Sequence, residues 1–159
     1  MNNFHQFSAK LDWSLRPKPN DFNGKWYIKN HTISFDQKEQ LNVSAARAFK
    51  GDPLLHNPED LLLSSLTSCH MMSYLYCFSI NNINVISYTD NSEAILEVNQ
   101  DGSGQITKVT LNPKVVITKN SDSNLAKELH QKANELCFIA SSCKFPVEHF
   151  PLIIVENKT

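Results

Sequence analysis

The residues in this chain best suited to chemistry are two of its four cysteines, Cys69 and Cys137. Cys69 lies in a helix-like stretch, residues 57–72, that has a charged start and a mostly apolar body. Cys137 follows 68 residues later, at the end of a second helix-like segment. A thiolate is both a nucleophile and a redox group. One thiol on each of two helices favours a redox pair over a structural crosslink.

Helix geometry limits which thiol can pair with Cys69. Cys77 lies eight residues further along the same helix, which corresponds to about 12 Å of rise and about 80° of rotation. A disulfide needs Cβ atoms about 3.8 Å apart, so these two cannot bond while the helix is intact. Cys77 is therefore expected to pack in the core as a small apolar residue. Cys137 and Cys143 both remain open as partners.

Composition and charge describe an ordinary soluble domain. The chain has 159 residues, of which 41% are hydrophobic and 19% charged, with a net charge of −1. This predicts one domain over residues 1–159 and favours neither nucleic acid nor a membrane as partner. Residues 1–6 lack the basic and apolar regions of a secretory signal, so we expect a cytoplasmic protein. Structural disulfides are rare there, which again favours working thiols.

Four cysteines also raise the possibility of a zinc site. The chain contains no C-x-x-C pair and no H-E-x-x-H motif, the spacings that typically supply zinc ligands. We therefore expect no bound metal, and a zinc-binding structural protein is the least favoured interpretation.

The hydrophobic pattern predicts an α+β fold in the order β-β-β-α-β-β-α-β. Expected strands cover residues 4–13, 26–35 (with a bulge near Lys29 and Asn30), 41–45, 85–89, 106–117 and 150–155. Residues 94–98 continue the strand that begins at residue 85 or follow it as another. Residues 101–104 have the composition of a hairpin turn.

Two helices separate these strands. Asn57 and Pro58 suit the N-cap and first turn of the first helix. Its predicted apolar stripe consists of Leu62, Leu66, Cys69, Met72, Tyr76 and Ile80. Ser121 or Ser123 is the expected N-cap of the second helix, which is predicted to run through Leu125, Leu129 and Ala133 to Cys137.

Two segments carry a resemblance to a known family. Residues 57–72, NPEDLLLSSLTSCHMM, resemble the N-P-E-E-L-L…S-C-H-M-L signature of the OsmC/Ohr family, the osmotically inducible and organic hydroperoxide resistance proteins. Residues 137–142, CFIASS, resemble its second signature, C-F-I-A-N-S, with Ser141 replacing asparagine. The resemblance covers essentially the whole chain. It implies an intertwined homodimer whose sheets wrap around central helices.

The resemblance implies a thiol-dependent peroxidase that reduces organic hydroperoxides, and hydrogen peroxide less well. Cys69 would attack the peroxide and become a sulfenic acid, and Cys137 would resolve it to a disulfide. An external dithiol, such as a protein-bound lipoyl group, would reduce that disulfide, so no bound cofactor is expected. Whether Cys143 can replace Cys137 stays open. The alternative function is a non-catalytic dimer of this fold that binds apolar ligands or senses redox state.

The resemblance also implies that an arginine, held by a glutamate, activates Cys69. Glu59 matches that glutamate and Arg47 is the preferred arginine, with Arg16 and Lys29 as alternatives. Lys29 would lack the guanidinium fork that grips two partners together. Glu59 precedes Cys69 by ten residues, or about 15 Å of helix. It can reach a Cys69 only if the helix breaks or a second chain supplies it.

The histidines are less informative. His70 follows Cys69 at about 100° around the helix, so a supporting or packing role is expected. His31 and His130 carry no motif, and a surface or packing role is expected for both.

Overall fold

A computed structural model describes residues 3–14 and 28–156 of the chain. The chain divides into two compact units, residues 1–61 and residues 62–159. Both helices and sheets are present, which confirms the α+β class. A single domain over residues 1–159 stays a prediction.

The first unit contains a small antiparallel sheet in the order β1-β2-β3. Its strands are β1 (Lys10–Asp12), β2 (His31–Ser34) and β3 (Leu41–Val43). They lie inside the three predicted segments but are shorter. Residues 15–27, including Arg16 and the start of the predicted second strand, lie outside the described residues. A 3₁₀ turn, Arg47–Phe49, follows the sheet.

Helix α1 spans Pro58–Ile80 without interruption and begins where the sequence predicts. The backbone N–H of Asp60 donates to the Asn57 side-chain oxygen at 2.9 Å. In return, the Asn57 backbone N–H donates to the Asp60 carboxylate at 3.3 Å. This reciprocal cap satisfies backbone donors that the first turn would otherwise leave unpaired.

The second unit holds two three-stranded sheets, β4-β7-β9 and β5-β6-β8. The strands are β4 (Val85–Asp90), β5 (Glu93–Val98), β6 (Gly104–Leu111), β7 (Pro113–Ile117), β8 (Val147–His149) and β9 (Leu152–Val155). The hairpin turn between β5 and β6 is confirmed, because Val98 pairs with Gly104.

The predicted strand over residues 106–117 is in fact two strands, β6 and β7. The break is at Asn112, whose backbone N–H donates to the Asp90 carboxylate at 2.8 Å. The chain leaves one sheet there and enters the other, because β6 pairs with β5 and β7 pairs with β4. The final predicted strand, residues 150–155, is present as β9, and the additional strand β8 precedes it. Each of the two runs parallel to its neighbour.

Helix α2 spans Ser123–Leu136, and a short helix α3, Phe138–Ser142, follows it. The predicted caps Ser121 and Ser123 are wrong, since Asp122 is the N-cap. Its carboxylate accepts the backbone N–H groups of Asn124 and Leu125 at 2.8 and 3.1 Å. A carboxylate binds these donors and also interacts favourably with the positive end of the helix dipole.

The predicted apolar stripe of α1 is confirmed at its start, where Leu66 is buried and Leu62 is partly buried in the same cluster, and is wrong further along the helix. The buried residues of this helix are Leu66, His70, Tyr74, Cys77 and Phe78. Met72, Tyr76 and Ile80 from the predicted stripe are 58%, 58% and 61% exposed. Apolar side chains occur on every side of α1, so their spacing does not distinguish the face that packs. Among the described residues, no helix combines the length and hydrophobicity needed to cross a membrane.

Candidate active site

Cys69 and Cys137, which the sequence separates by 68 positions, are neighbours in the structure. The pKa of the Cys137 thiol is raised to about 11, mostly by burial and in addition by a side-chain hydrogen bond and a charge interaction with the adjacent Cys69. Both thiols are free, Cys137 is fully buried and Cys69 is half-buried. A reagent from solvent therefore reaches Cys69 more readily, and Cys137 holds its proton more tightly than an ordinary thiol.

The junction between α2 and α3 fixes the position of Cys137. Its backbone N–H donates to the carbonyl of Asn134, which ends α2. Its sulfur then accepts the backbone N–H of Ala140 at 3.4 Å, which begins α3. Hydrogen bonds from the amides of Ala140 and Ile139 lower the pKa of Cys137 and so oppose the effect of burial. The same amides would stabilise a thiolate formed at this sulfur.

The other two cysteines occupy different surroundings. Cys77 is 1% exposed and packs in the hydrophobic core, as predicted, and burial raises its pKa. Cys143 caps the far end of α3, where its thiol donates to the carbonyl of Ile139 at 3.3 Å. Burial also raises the pKa of Cys143. The Cys69 thiol interacts with the Cys137 thiol through a side-chain hydrogen bond, so the geometry favours Cys137 over Cys143 as the disulfide partner of Cys69.

Glu59 lies in the first turn of α1, on the same uninterrupted helix as Cys69. The two residues are therefore separated by about 15 Å of helical rise. One carboxylate oxygen of Glu59 is buried and has no hydrogen-bond partner among the described residues. Buried polar atoms are nearly always paired, so this oxygen requires a partner from outside the described structure.

The candidate cations differ in their surroundings. Arg47 is exposed on the 3₁₀ turn, and none of the ion pairs in residues 3–14 and 28–156 includes it. The ammonium of Lys29 donates to the backbone carbonyl of Phe49. Arg16 lies outside the described residues. Which cation approaches Cys69 stays a prediction.

A buried histidine cluster includes His70, the neighbour of Cys69 in the chain, and His130, for both of which a packing role was among the expectations. His70 on α1 and His130 on α2 are both 0% exposed, and His70 Nε2 lies 3.0 Å from His130 Nδ1. His149 on β8 lies 5.5 Å from the His70 ring. Tyr74 stacks on His130 with ring centroids 3.6 Å apart.

The interior keeps these imidazoles neutral. Burial, followed by the charge of His149, lowers the pKa of His70 to about 4. Burial, followed by the charges of His70 and His149, lowers the pKa of His130 to about 3. The one sequence signal for this cluster was positional, since His70 and Tyr74 are four residues apart on a single helix face. No group of three or more His, Cys, Asp or Glu residues in the described ranges is arranged to hold a metal ion.

Comparison with known proteins places these features in a family context. Residues 51–149 match the model of the OsmC-like protein family. An OsmC-like protein of unknown function from Vibrio cholerae is 32% identical, with a TM-score of 0.82. The match covers 94% of this chain and 100% of that one. No match was found among curated proteins.

Two more distant structures share the fold. An organic hydroperoxide resistance protein OsmC from Legionella pneumophila is 17% identical with a TM-score of 0.71, over 97% of this chain and 100% of that one. The organic hydroperoxide resistance protein OhrB of Bacillus subtilis is 20% identical with a TM-score of 0.59, over 94% and 98% of the two chains. At these identities the likeness establishes the architecture alone.

Proposed function

The chain belongs to the OsmC-like protein family, and from that premise we propose that it is a thiol-dependent peroxidase that reduces organic hydroperoxides. The observation that carries the proposal is the adjacency of Cys69 and Cys137, two thiols contributed by separate helices. In this proposal the half-buried Cys69 reacts with the oxidant, and the buried Cys137 reacts with the oxidised Cys69.

The first step would take place at Cys69. Its thiolate attacks the terminal oxygen of the hydroperoxide, the S–O bond forms as the O–O bond breaks, and the alkoxide leaves and takes up a proton as the alcohol. Sulfur is oxidised to a sulfenic acid while the peroxide is reduced. The high pKa of Cys137 keeps this neighbour protonated, so it does not compete for the charge.

The second step would take place at Cys137. As a thiolate it attacks the sulfenic sulfur of Cys69, the S–S bond forms, the S–O bond breaks and hydroxide leaves to become water. The amides of Ala140 and Ile139 stabilise the attacking thiolate. An external dithiol then restores both thiols through two exchange reactions and is itself oxidised to a disulfide.

We also propose that the protein acts as a homodimer in which Arg47 and Glu59 of one copy complete the Cys69 site of the other. The unpartnered, buried carboxylate oxygen of Glu59 supports this arrangement. Exposed Met72, Tyr76 and Ile80 also support it, because they repeat every four residues on α1 and give an apolar surface for another chain. Sedimentation velocity of the wild-type protein tests whether it is a homodimer. A monomer at micromolar concentration contradicts the proposal.

The central experiment mixes reduced protein with cumene hydroperoxide and measures peroxide loss, free thiols and the Cys69–Cys137 disulfide by mass spectrometry. Cys69→Ser should abolish peroxide consumption. Cys77→Ala, on the same helix, is the matched control and should retain it. An unchanged rate in Cys69→Ser refutes the proposal. Arg47→Ala should slow oxidation of Cys69, and Arg47→Lys should restore part of the rate because it returns the charge without the fork.

A further inference from the structure

The hydrogen bond between His70 and His130 joins the two helices that carry the paired thiols. His70 Nε2 on α1 and His130 Nδ1 on α2 are 3.0 Å apart, and both side chains are fully buried. A second link lies beside it, where the Tyr74 hydroxyl of α1 donates to the Ala126 carbonyl of α2 at 2.8 Å. These two directional contacts tie α1 to α2 at neighbouring turns.

This bond lies next to one thiol along the chain and two helical turns from the other. On α1, His70 directly follows Cys69 in the chain. His130 on α2 precedes Cys137, the C-cap of that helix, by seven residues, which corresponds to two turns and about 10.5 Å of rise. Any sliding or rotation of α1 against α2 that breaks the histidine bond therefore also changes the separation of the two sulfurs.

Simple packing does not account for imidazoles at these positions. His70 Nδ1 and His130 Nε2 are buried without a hydrogen-bond partner in the described structure, and so is His149 Nδ1. Burying an unpaired polar nitrogen costs free energy that leucine or phenylalanine would not. An imidazole pair adds a directional contact between the helices. A hydrogen bond depends on angle and distance, whereas an apolar contact tolerates sliding.

We propose that the His70–His130 hydrogen bond positions the thiol pair, holding α1 and α2 in the register at which Cys137 can attack an oxidised Cys69. This inference rests on the proposed function for its biological meaning. Disulfide formation needs Cβ atoms about 3.8 Å apart, so a shift near 1 Å is enough to matter. A displacement of that size commonly slows a reaction by up to about 100-fold.

The proposal separates the two chemical steps. Oxidation of Cys69 needs the hydroperoxide and the Cys69 thiolate, and it depends on the register of α2 only through the hydrogen bond between the two thiols. Condensation with Cys137 depends on that register directly. Loss of the histidine bond should therefore leave the rate of Cys69 oxidation within about twofold of the wild-type rate. It should slow the condensation with Cys137 by about tenfold or more.

The test uses rapid-mixing kinetics with one equivalent of cumene hydroperoxide, with dimedone to trap Cys69 sulfenic acid and mass spectrometry to quantify the disulfide. His130→Leu removes the bond from α2, and His70→Leu removes it independently from α1. His130→Asn is the conservative variant, because its side-chain amide reaches the place of Nδ1. Leu129→Val is the control for a core change on α2 without a hydrogen bond.

Either leucine variant should accumulate the dimedone adduct while disulfide formation falls about tenfold, and His130→Asn should recover most of that loss. Normal condensation in both leucine variants overturns the proposal. An equal slowing of both steps, or an effect of the same size in Leu129→Val, also overturns it because general loosening would explain the result.

A second measurement separates this proposal from the peroxidase function. The equilibrium between the Cys69–Cys137 dithiol and disulfide in a glutathione redox buffer requires no peroxide. The leucine variants should lower the effective concentration of the thiol pair by about tenfold. If hydroperoxide fails to oxidise wild-type Cys69 but this shift is observed, the peroxidase proposal fails and the positioning role stands. An unchanged equilibrium in both leucine variants refutes the positioning role.

Discussion

Lowering the pH from 7.5 to 5.5 should destabilise this protein by about 3 kcal/mol through His70 and His130 alone. Both side chains are fully buried. In the folded state the pKa of His70 is lowered to about 4 and that of His130 to about 3, with burial as the largest cause in each case. In the unfolded chain both return to about 6.5.

The direction follows from proton binding. Because the folded pKa of each histidine lies below its unfolded value, the unfolded chain binds more protons at acidic pH. The stability these groups contribute is therefore fully present above pH 6.5 and is lost as the pH falls toward 4 and 3. At pH 5.5 the unfolded imidazole is about nine-tenths protonated and the folded one remains neutral, which amounts to about 1.4 kcal/mol per histidine.

Other titratable groups change how much stability the protein loses between pH 7.5 and pH 5.5. Burial also lowers the pKa of His149, which adds in the same direction. Burial raises the pKa of Asp90, which acts in the opposite direction because its folded state then binds the extra proton. The test therefore compares the pH-dependent loss of unfolding free energy in a histidine variant with the same loss in the wild type.

The assay is urea unfolding at pH 7.5 and pH 5.5 at one fixed protein concentration, with the free energy difference taken within each variant. His130→Phe should reduce the pH-dependent loss by about 1.4 kcal/mol. The exposed His5, changed to Gln, is the control and should leave the loss unchanged. A His130→Phe protein that loses as much stability as the wild type would refute the reasoning.

Three further outcomes are expected. Cys137→Ser, given one equivalent of cumene hydroperoxide, should hold Cys69 as a dimedone-reactive sulfenic acid. Formation of a disulfide to another cysteine at the wild-type rate contradicts Cys137 as the resolving thiol. Asp122→Ala should cost about 1 kcal/mol in urea unfolding because α2 loses its N-cap, with most of the loss restored in Asp122→Asn. Gly51→Ala should cost about 2 kcal/mol, since its Cβ would overlap the Ala45 carbonyl; unaltered unfolding would count against that contact.

The start of α1 and the separate roles of Cys69 and Cys77 were predictable because they depend on local geometry. The Asn57–Asp60 cap involves residues three positions apart. The exclusion of a Cys69–Cys77 disulfide needs only the rise and turn of one helix. Neither depends on what packs against that helix.

The buried face of α1 and the break at Asn112 were not predictable in this way. An almost uniformly apolar helix can pack on several sides, so the choice of His70 and Tyr74 over Met72 and Tyr76 is made by the elements that cover it. Within residues 106–117, Pro113 is a local signal against one uninterrupted strand. It does not show that the chain changes sheets there, which the contact of Asp90 with Asn112 does.

By itself, the sequence determined the thiols, their order along the chain and the helices that carry them, because motif and helical period are properties of neighbouring residues. Only the tertiary structure decided that Cys137 meets Cys69 and that His70 bonds to His130, pairs separated by 68 and 60 positions. Such contacts are set by the packing of α1 against α2, and no local pattern fixes the register of two helices.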